Sequence, residues 1–214
     1  MKSVRNKISN KLFPVRPPLY ADKYLQHFTW NIKESKSIYL TFDDGPTPEI
    51  TEKVLAVLDE KKIKATFFCL GRNVERHYDI YKKILQAGHK TGNHTYSHLN
   101  GWKTKFYEYI NDVELANNCI DSKLFRPPYG KIKPRQLSHT KNNYRIVMWD
   151  VLSGDYNQKI SPKQCFNNVV RFAKQGSIVV FHDSLKASKN LFYTLPKAID
   201  YLLEQGFTFD VVPD

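Results

Sequence analysis

The sequence predicts an α/β domain, and three observations predict it. Short apolar runs alternate with longer amphipathic runs, glycines stand where helices would stop, and reactive side chains recur immediately after the apolar runs. The apolar runs read as strands over Ser37–Phe42, Ala65–Leu70, the stretch just before His94, Lys123–Arg126, Arg145–Asp150, Ser177–His182 and Phe207–Val211, seven in all. Between them, Pro48–Lys61 repeats Ile50, Val54, Val57 and Leu58 at the spacing of one helical face. Val74–Ala87, Tyr107–Ile120, Pro162–Lys174 and Leu195–Gln205 read as further helices, with Gly88, Gly176 and Gly206 at C-terminal cap positions. Thr47 is a candidate N-cap with Pro48 at the first helical position. A barrel and an open doubly wound sheet both satisfy this count.

Residues 1–30 form a polar, proline-marked lead-in, and 31–214 a single domain. At 214 residues, folding buries roughly 70% of the surface that the unfolded chain exposes. A composition of 41% hydrophobic and 25% charged residues, with a mean hydropathy of −0.52, is that of a globular chain and not a disordered one. The net charge of +12 favours anionic surfaces in general, but no basic helix or RNA-recognition signature accompanies it, which argues against nucleic acid. Cys69, Cys119 and Cys165 form neither a disulfide framework nor a paired zinc motif. A reducing, cytoplasmic home is the expectation, because Met1–Tyr20 lacks the apolar stretch of a signal peptide and no window of 18 apolar residues occurs. Lys2, Arg5, Lys7, Lys11 and Arg16 crowd the N-terminus, where peripheral contact with an anionic membrane is a further expectation. Nothing in the sequence fixes the oligomeric state.

In either architecture, reactive residues belong just after parallel strands. Asp43 and Asp44, His94 and His98, Arg126 and Tyr129, Asp150 and Asp155, and His182 and Asp183 all occur there. Asp43-Asp44-Gly45-Pro46 reads as a turn start or as two adjacent carboxylates whose repulsion a cation relieves. His94 and His98, four apart, face one way on a helical turn, and with Asp44 they make a zinc-type ligand set. Arg126-Pro127-Pro128-Tyr129 is either a stiff surface turn or a rigid mount aiming an arginine at a carboxylate and an amide N–H at an oxyanion. The run Gly176–Asp183 leads an apolar strand into His182, a structural histidine or a proton donor oriented by a carboxylate.

These segments together resemble the NodB-homology polysaccharide deacetylases, carbohydrate esterase family 4, over roughly residues 37–211. The motifs that carry the resemblance are Thr41-Phe42-Asp43-Asp44-Gly45-Pro46, His94-Thr95-Tyr96-Ser97-His98, Arg126-Pro127-Pro128-Tyr129, Trp149-Asp150 with Asp155-Tyr156, and Val180-Phe181-His182. The resemblance implies a distorted (β/α)7 barrel and a metal-dependent hydrolase that removes N-acetyl groups from an N-acetylated sugar. It implies one divalent metal on Asp44, His94 and His98, with zinc first and cobalt or another ion as alternatives. By the same resemblance Asp43 is the general base, paired with Arg126, and His182 the general acid, tuned by Asp155. The Tyr129 N–H would face the oxyanion, and Tyr156 and Val180 would line the acetyl pocket. The last two stand where the family commonly has tryptophan and leucine, which bears on acyl fit and sugar preference. A non-sugar amide or formamide substrate and a non-catalytic sugar-binding protein are the alternative readings.

Overall fold

The computed structural model describes residues 26–214. The basic N-terminal cluster therefore lies outside the described residues. Among the described residues nine strands form one sheet: β1 (Phe28–Thr29), β2 (Ser37–Asp43), β3 (Thr66–Cys69), β4 (Lys90–Asn93), β5 (Leu124–Phe125), β6 (Arg145–Val147), β7 (Val151–Leu152), β8 (Ile178–His182) and β9 (Thr208–Phe209). Their order is β1-β6-β5-β4-β3-β2-β8-β7 with β9 beside β2, and every pairing is parallel. The helices are α1 (Ile50–Glu60), α2 (Gly71–Arg76), α3 (Tyr78–Gln86), α4 (Phe106–Asn117), α5 (Pro134–Thr140), α6 (Pro162–Val170) and α7 (Ser188–Glu204).

Periodicity left a barrel and an open sheet equally open, and closure decides between them. β6 and β7 lie toward opposite ends of the strand order, yet only Met148, Trp149 and Asp150 separate them in the chain, so the sheet curls back on itself. The Met148 N–H donates to Thr29 O at 2.8 Å and the Asp150 N–H to Ile178 O at 3.2 Å, so the chain changes partners within three residues. This handover ends the expected strand Arg145–Asp150 at Val147, and β7 begins one residue past its expected end. Asn31 bridges Ser177 antiparallel, and the Ile32 N–H donates to Gly176 O at 2.8 Å, tightening the same seam. The result is the distorted (β/α)7 barrel. Phe28–Thr29, within the stretch read as lead-in, adds a short strand.

Strands of a parallel sheet are covered on both faces and read as unbroken apolar runs. β2 follows the rule, with six of its seven residues buried. Phe42 stacks on Phe67 at 4.9 Å and on Phe181 at 6.0 Å between ring centroids, at the centre of the main core. Ile50, Val54 and Leu58 of α1 bury one stripe against it.

Several boundaries differ from the sequence reading. Thr47 does not cap α1: its N–H donates to Thr51 Oγ1 at 2.7 Å, and the helix starts two residues after Pro48, behind Glu49 at φ 63°. The expected helix Val74–Ala87 is α2 and α3, broken at His77, whose φ of −133° is not helical. α7 begins seven residues before Leu195 and carries Pro196 inside it. Its buried Leu191, Leu195, Ile199 and Leu202 continue one stripe through the proline, so packing overrides that local signal. α5 has no counterpart in the sequence reading.

Gly176 and Gly206 have almost the same backbone, φ 80° and φ 83°, in different surroundings. A Cβ on Gly176 would lie 2.3 Å from the Ile32 carbonyl oxygen at the barrel seam, whereas one on Gly206 meets nothing within 4 Å. Gly206→Ala should therefore cost about 1–2 kcal/mol, the left-handed penalty alone, and Gly176→Ala about 2–5 kcal/mol with overpacking added. Urea midpoints of the two variants check this, and equal losses would remove the close approach as the cause.

Candidate active site

The parallel strands end at one mouth, and a cavity of about 690 Å³ opens there, lined by Asp43, Asp44, His94, His98, Tyr129 and His182 among others. Asp43 closes β2 and pairs in register with His182, which closes β8, so the two stand side by side on neighbouring strands.

Asp44 follows at φ 83°, a conformation that turns the chain sharply after the strand. Its Oδ1 lies 3.3 Å from His98 Nε2 and 3.8 Å from His94 Nε2. The two histidines do not share a helical turn, as their spacing proposed. β4 ends at Asn93, and residues 94–98 form a loop with Thr95 at φ 65° and His98 at φ 64°. That loop is held by buried Asp112 of α4, whose Oδ2 accepts the Tyr96 and Ser97 N–H groups at 3.1 and 3.0 Å and whose Oδ1 accepts the Ser97 hydroxyl at 2.6 Å. The Thr95 N–H donates to Asn93 Oδ1 at 2.8 Å. Asp112 was invisible as a functional residue because in sequence it is one polar position on a helix.

His94 Nδ1 lies 2.7 Å from the Arg126 carbonyl, which can only accept, so Nδ1 carries the hydrogen and Nε2 keeps its lone pair toward Asp44. Burial lowers the pKa of His94 and, with the neighbouring His94, that of His98 to about 4, so both rings are neutral near pH 7. Asp44 Oδ1 is buried and has no hydrogen-bond partner. An orphaned carboxylate oxygen facing two neutral imidazole nitrogens, all three atoms within 4.8 Å of one another, fits a divalent cation.

Asp43 is 4% exposed and accepts from Arg126 Nη1 at 2.7 Å. Burial pushes its pKa up, but Arg126, then His94 and His182, pull it below the usual carboxylate value. His182 moves the other way. Its Nδ1 lies 2.8 Å from Asp155 Oδ1, and its backbone N–H donates to Asp155 Oδ2 at 2.7 Å. Burial alone would lower its pKa; the charge of Asp155 and that hydrogen bond outweigh it and raise it to about 9.

Tyr129 sits at φ 60° behind Pro127-Pro128, with its ring 4.6 Å from that of His98. The rings of Tyr156 and His182 meet edge to face with 4.8 Å between centroids, and Val180 lines the same cavity with Leu152, Trp149 and Trp30. Trp30 and Leu152 were not singled out in the sequence. Asp150, grouped with the mouth residues, lies elsewhere: it accepts from Ser177 Oγ at 3.0 Å and the Ile178 N–H at 2.9 Å, at the start of β8 and the far end from His182. Asp183 is fully buried behind the site, accepting the Gly45 N–H at 3.1 Å and the Thr51 hydroxyl, with burial raising its pKa to about 8.

The polysaccharide deacetylase family matches residues 31–146 of this chain, more than half its length. The chain belongs to that family. Within it, the chain is 36% identical over 208 residues to a peptidoglycan-N-acetylglucosamine deacetylase of Bacillus cereus, covering 92% of this chain and 74% of the relative. It is 32% identical over 204 residues to a peptidoglycan-N-acetylmuramic acid deacetylase of Bacillus subtilis, covering 90% and 76%. A solved peptidoglycan N-acetylglucosamine deacetylase in complex with 4-naphthalen-1-yl-N-oxidanyl-benzamide superimposes with a TM-score of 0.81 at 33% identity, over 92% of this chain and 95% of that one. The resemblance to carbohydrate esterase family 4 and its distorted barrel therefore holds along the described deacetylase domain.

The His182–Asp155 pair generates a pH prediction. A folded pKa of about 9 against an unfolded value of about 6.5 means that the pair's contribution to stability is complete below about pH 6.5 and is lost as pH rises through 9. An NMR titration of His182 should give a pKa near 9, and Asp155→Asn should bring it down toward or below the unfolded value. The thermal midpoint should fall more steeply from pH 7 to 10 in the unsubstituted protein than in the variant. A His182 pKa unmoved by the substitution would remove Asp155 as its cause.

Proposed function

We propose that this chain hydrolyses the N-acetyl group of an N-acetylated glycan to a free amine and acetate, with one divalent cation, zinc first, held by Asp44, His94 and His98. The observation that carries the reading is the pairing of Asp43, kept ionised, with His182, kept protonated, on neighbouring strands beside a cation-binding cluster. The relatives' named substrates, N-acetylglucosamine and N-acetylmuramic acid of peptidoglycan, support an acetylated sugar as the substrate class.

A cation bound in that cluster supplies a Lewis acid that polarises the acetamide carbonyl and makes water more acidic. Asp43 accepts the proton of the attacking water as its oxygen adds to the carbonyl carbon. His182 donates its Nε2 proton to the amide nitrogen, without which the amine leaves poorly, and the C–N bond breaks to give acetate and amine. Arg126 is 0% exposed and does not reach substrate; it acts on the reaction by keeping Asp43 ionised. The Tyr129 N–H is the oxyanion donor of this proposal, aimed by the two prolines before it, and Tyr156, Val180 and Leu152 wall the acetyl group.

Purified protein should release acetate from N-acetylglucosamine oligomers or peptidoglycan fragments, lose that activity on chelation and regain it with zinc or cobalt. Asp43→Asn should bind metal at unchanged stoichiometry and turn over at least roughly a hundredfold more slowly, the loss expected for a general base. A near-normal rate would remove Asp43 from this role, and formate release from a small amide in place of acetate release from any glycan would replace the substrate class.

A further inference from the structure

Two lysines line the catalytic cavity at positions that the reaction does not use. Lys131 follows the Pro128–Gly130 turn after β5, and Lys186 lies after β8; in the sheet β4, β3 and β2 stand between those two strands, so the ammoniums rise on different sides of the mouth. Each lies over an aromatic ring: Lys131 Nζ is 5.2 Å from the ring centroid of Trp102, and Lys186 Nζ is 5.7 Å from that of Tyr156. Among the described residues neither has a carboxylate within 4.0 Å, although the lysines at 61, 83 and 90 all do.

Trp102 is 61% exposed, in the loop that follows the histidine pair. A large indole held out in water beside a cavity offers a flat face on which the C–H face of a sugar ring can stack. Its surroundings are basic. Lys103 and Lys105 share its loop, Lys133 Nζ donates to Thr104 O at 2.8 Å, and the Arg135 guanidinium lies 4.4 Å from the ring centroid of Phe106. A neutral oligosaccharide needs the ring alone. Ring and ammonium together match a sugar that carries an acid group.

We propose that the mouth from the catalytic centre over Trp102 selects N-acetylated glycans bearing an anionic group, with Lys131 and Lys186 as the specificity-determining cations. This rests on the deacetylase reading above and adds to it which glycans are preferred. Ammonium is a point charge without the bidentate geometry of guanidinium, so carboxylate and sulfate both satisfy it.

The test compares a tetrasaccharide of alternating N-acetylglucosamine and N-acetylmuramic acid with its carboxyl-amidated form, and 6-O-sulfated chitotetraose with chitotetraose. Binding is measured by tryptophan fluorescence in chelator, where no turnover competes, and kcat/KM by acetate release with metal restored. Each anionic glycan should bind about tenfold more tightly than its neutral partner at low salt, the sum of two exposed ion pairs, and the ratio should shrink toward one near 0.5 M salt. The double variant Lys131→Gln with Lys186→Gln should bring the ratio to about one. Equal binding of charged and neutral partners, or a ratio that survives the double substitution, overturns the proposal. If no glycan releases acetate while the binding ratio and its loss in the variant hold, the deacetylase reading falls and the anion-selective mouth stands.

Discussion

The structure depends most on one buried cation. The Arg126 guanidinium is 0% exposed inside the barrel, donating to Asp43 Oδ1 and Thr41 Oγ1 at 2.7 Å, Met148 O at 2.9 Å and Val147 O at 3.2 Å, and lying 4.1 Å from the Phe68 ring centroid. Taking such a charge out of water costs several kcal/mol, and only close pairing with satisfied donors offsets it. The partners come from β2, from the end of β6 and from the segment that closes the barrel, so the contacts that satisfy the cation also hold the seam. The main chain of the same residue accepts the His94 Nδ1 hydrogen. Arg126 thus sets the ionisation of Asp43 and the tautomer of His94, and Pro127 and Pro128 restrict how far its backbone can move.

Asp43 and His182 occupy the same mouth, yet their proton affinities are driven in opposite directions. Each has its own contact partner: Arg126 lies against Asp43, and Asp155 against His182. Burial opposes both ionised forms, so a bare barrel interior would make Asp43 neutral and His182 neutral, the wrong state for both. The two salt bridges reverse that outcome, and this separation of acid from base by environment is how adjacent groups do different work at one pH.

What was legible in the sequence follows from what is local. The carboxylates that end and follow β2, the arginine after β5 and the histidine ending β8 were found because a parallel strand that ends in a reactive residue announces itself as an apolar run followed by a polar one, whereas β4, Lys90-Thr91-Gly92-Asn93, is no apolar run and His94 and His98 were found by their own spacing. Asp150 misled for the same reason. It follows an apolar run as Asp43 does, but the chain changes partner strands at Met148–Asp150 and turns its carboxylate to the start of β8. A change of partner depends on which distant strand is alongside, and no local pattern encodes that. Asp112 escaped because it does its work on backbone N–H groups remote in sequence, and Asp183, read with His182 as a mouth residue, turns instead to the Gly45 N–H behind the site; Thr47 and the helix over 74–87 failed where Glu49 at positive φ and His77 outside helical geometry interrupted good local signals.

The net charge of +12 illustrates the same limit from the other side. As a total it favours any polyanion; only position gives it meaning. Lys131 and Lys186 stand at the mouth, in or near water, where charges act through a medium that screens them over about 8 Å at physiological salt. Arg126 and Asp155 act by direct contact inside the fold, where screening is weak. In the proposed reading, charges at the mouth therefore bias which glycan arrives without resetting the proton affinities of Asp43 and His182. The proposed substrate preference and the proposed chemistry are electrostatic in both cases but separable, since salt reaches the first and leaves the second largely untouched.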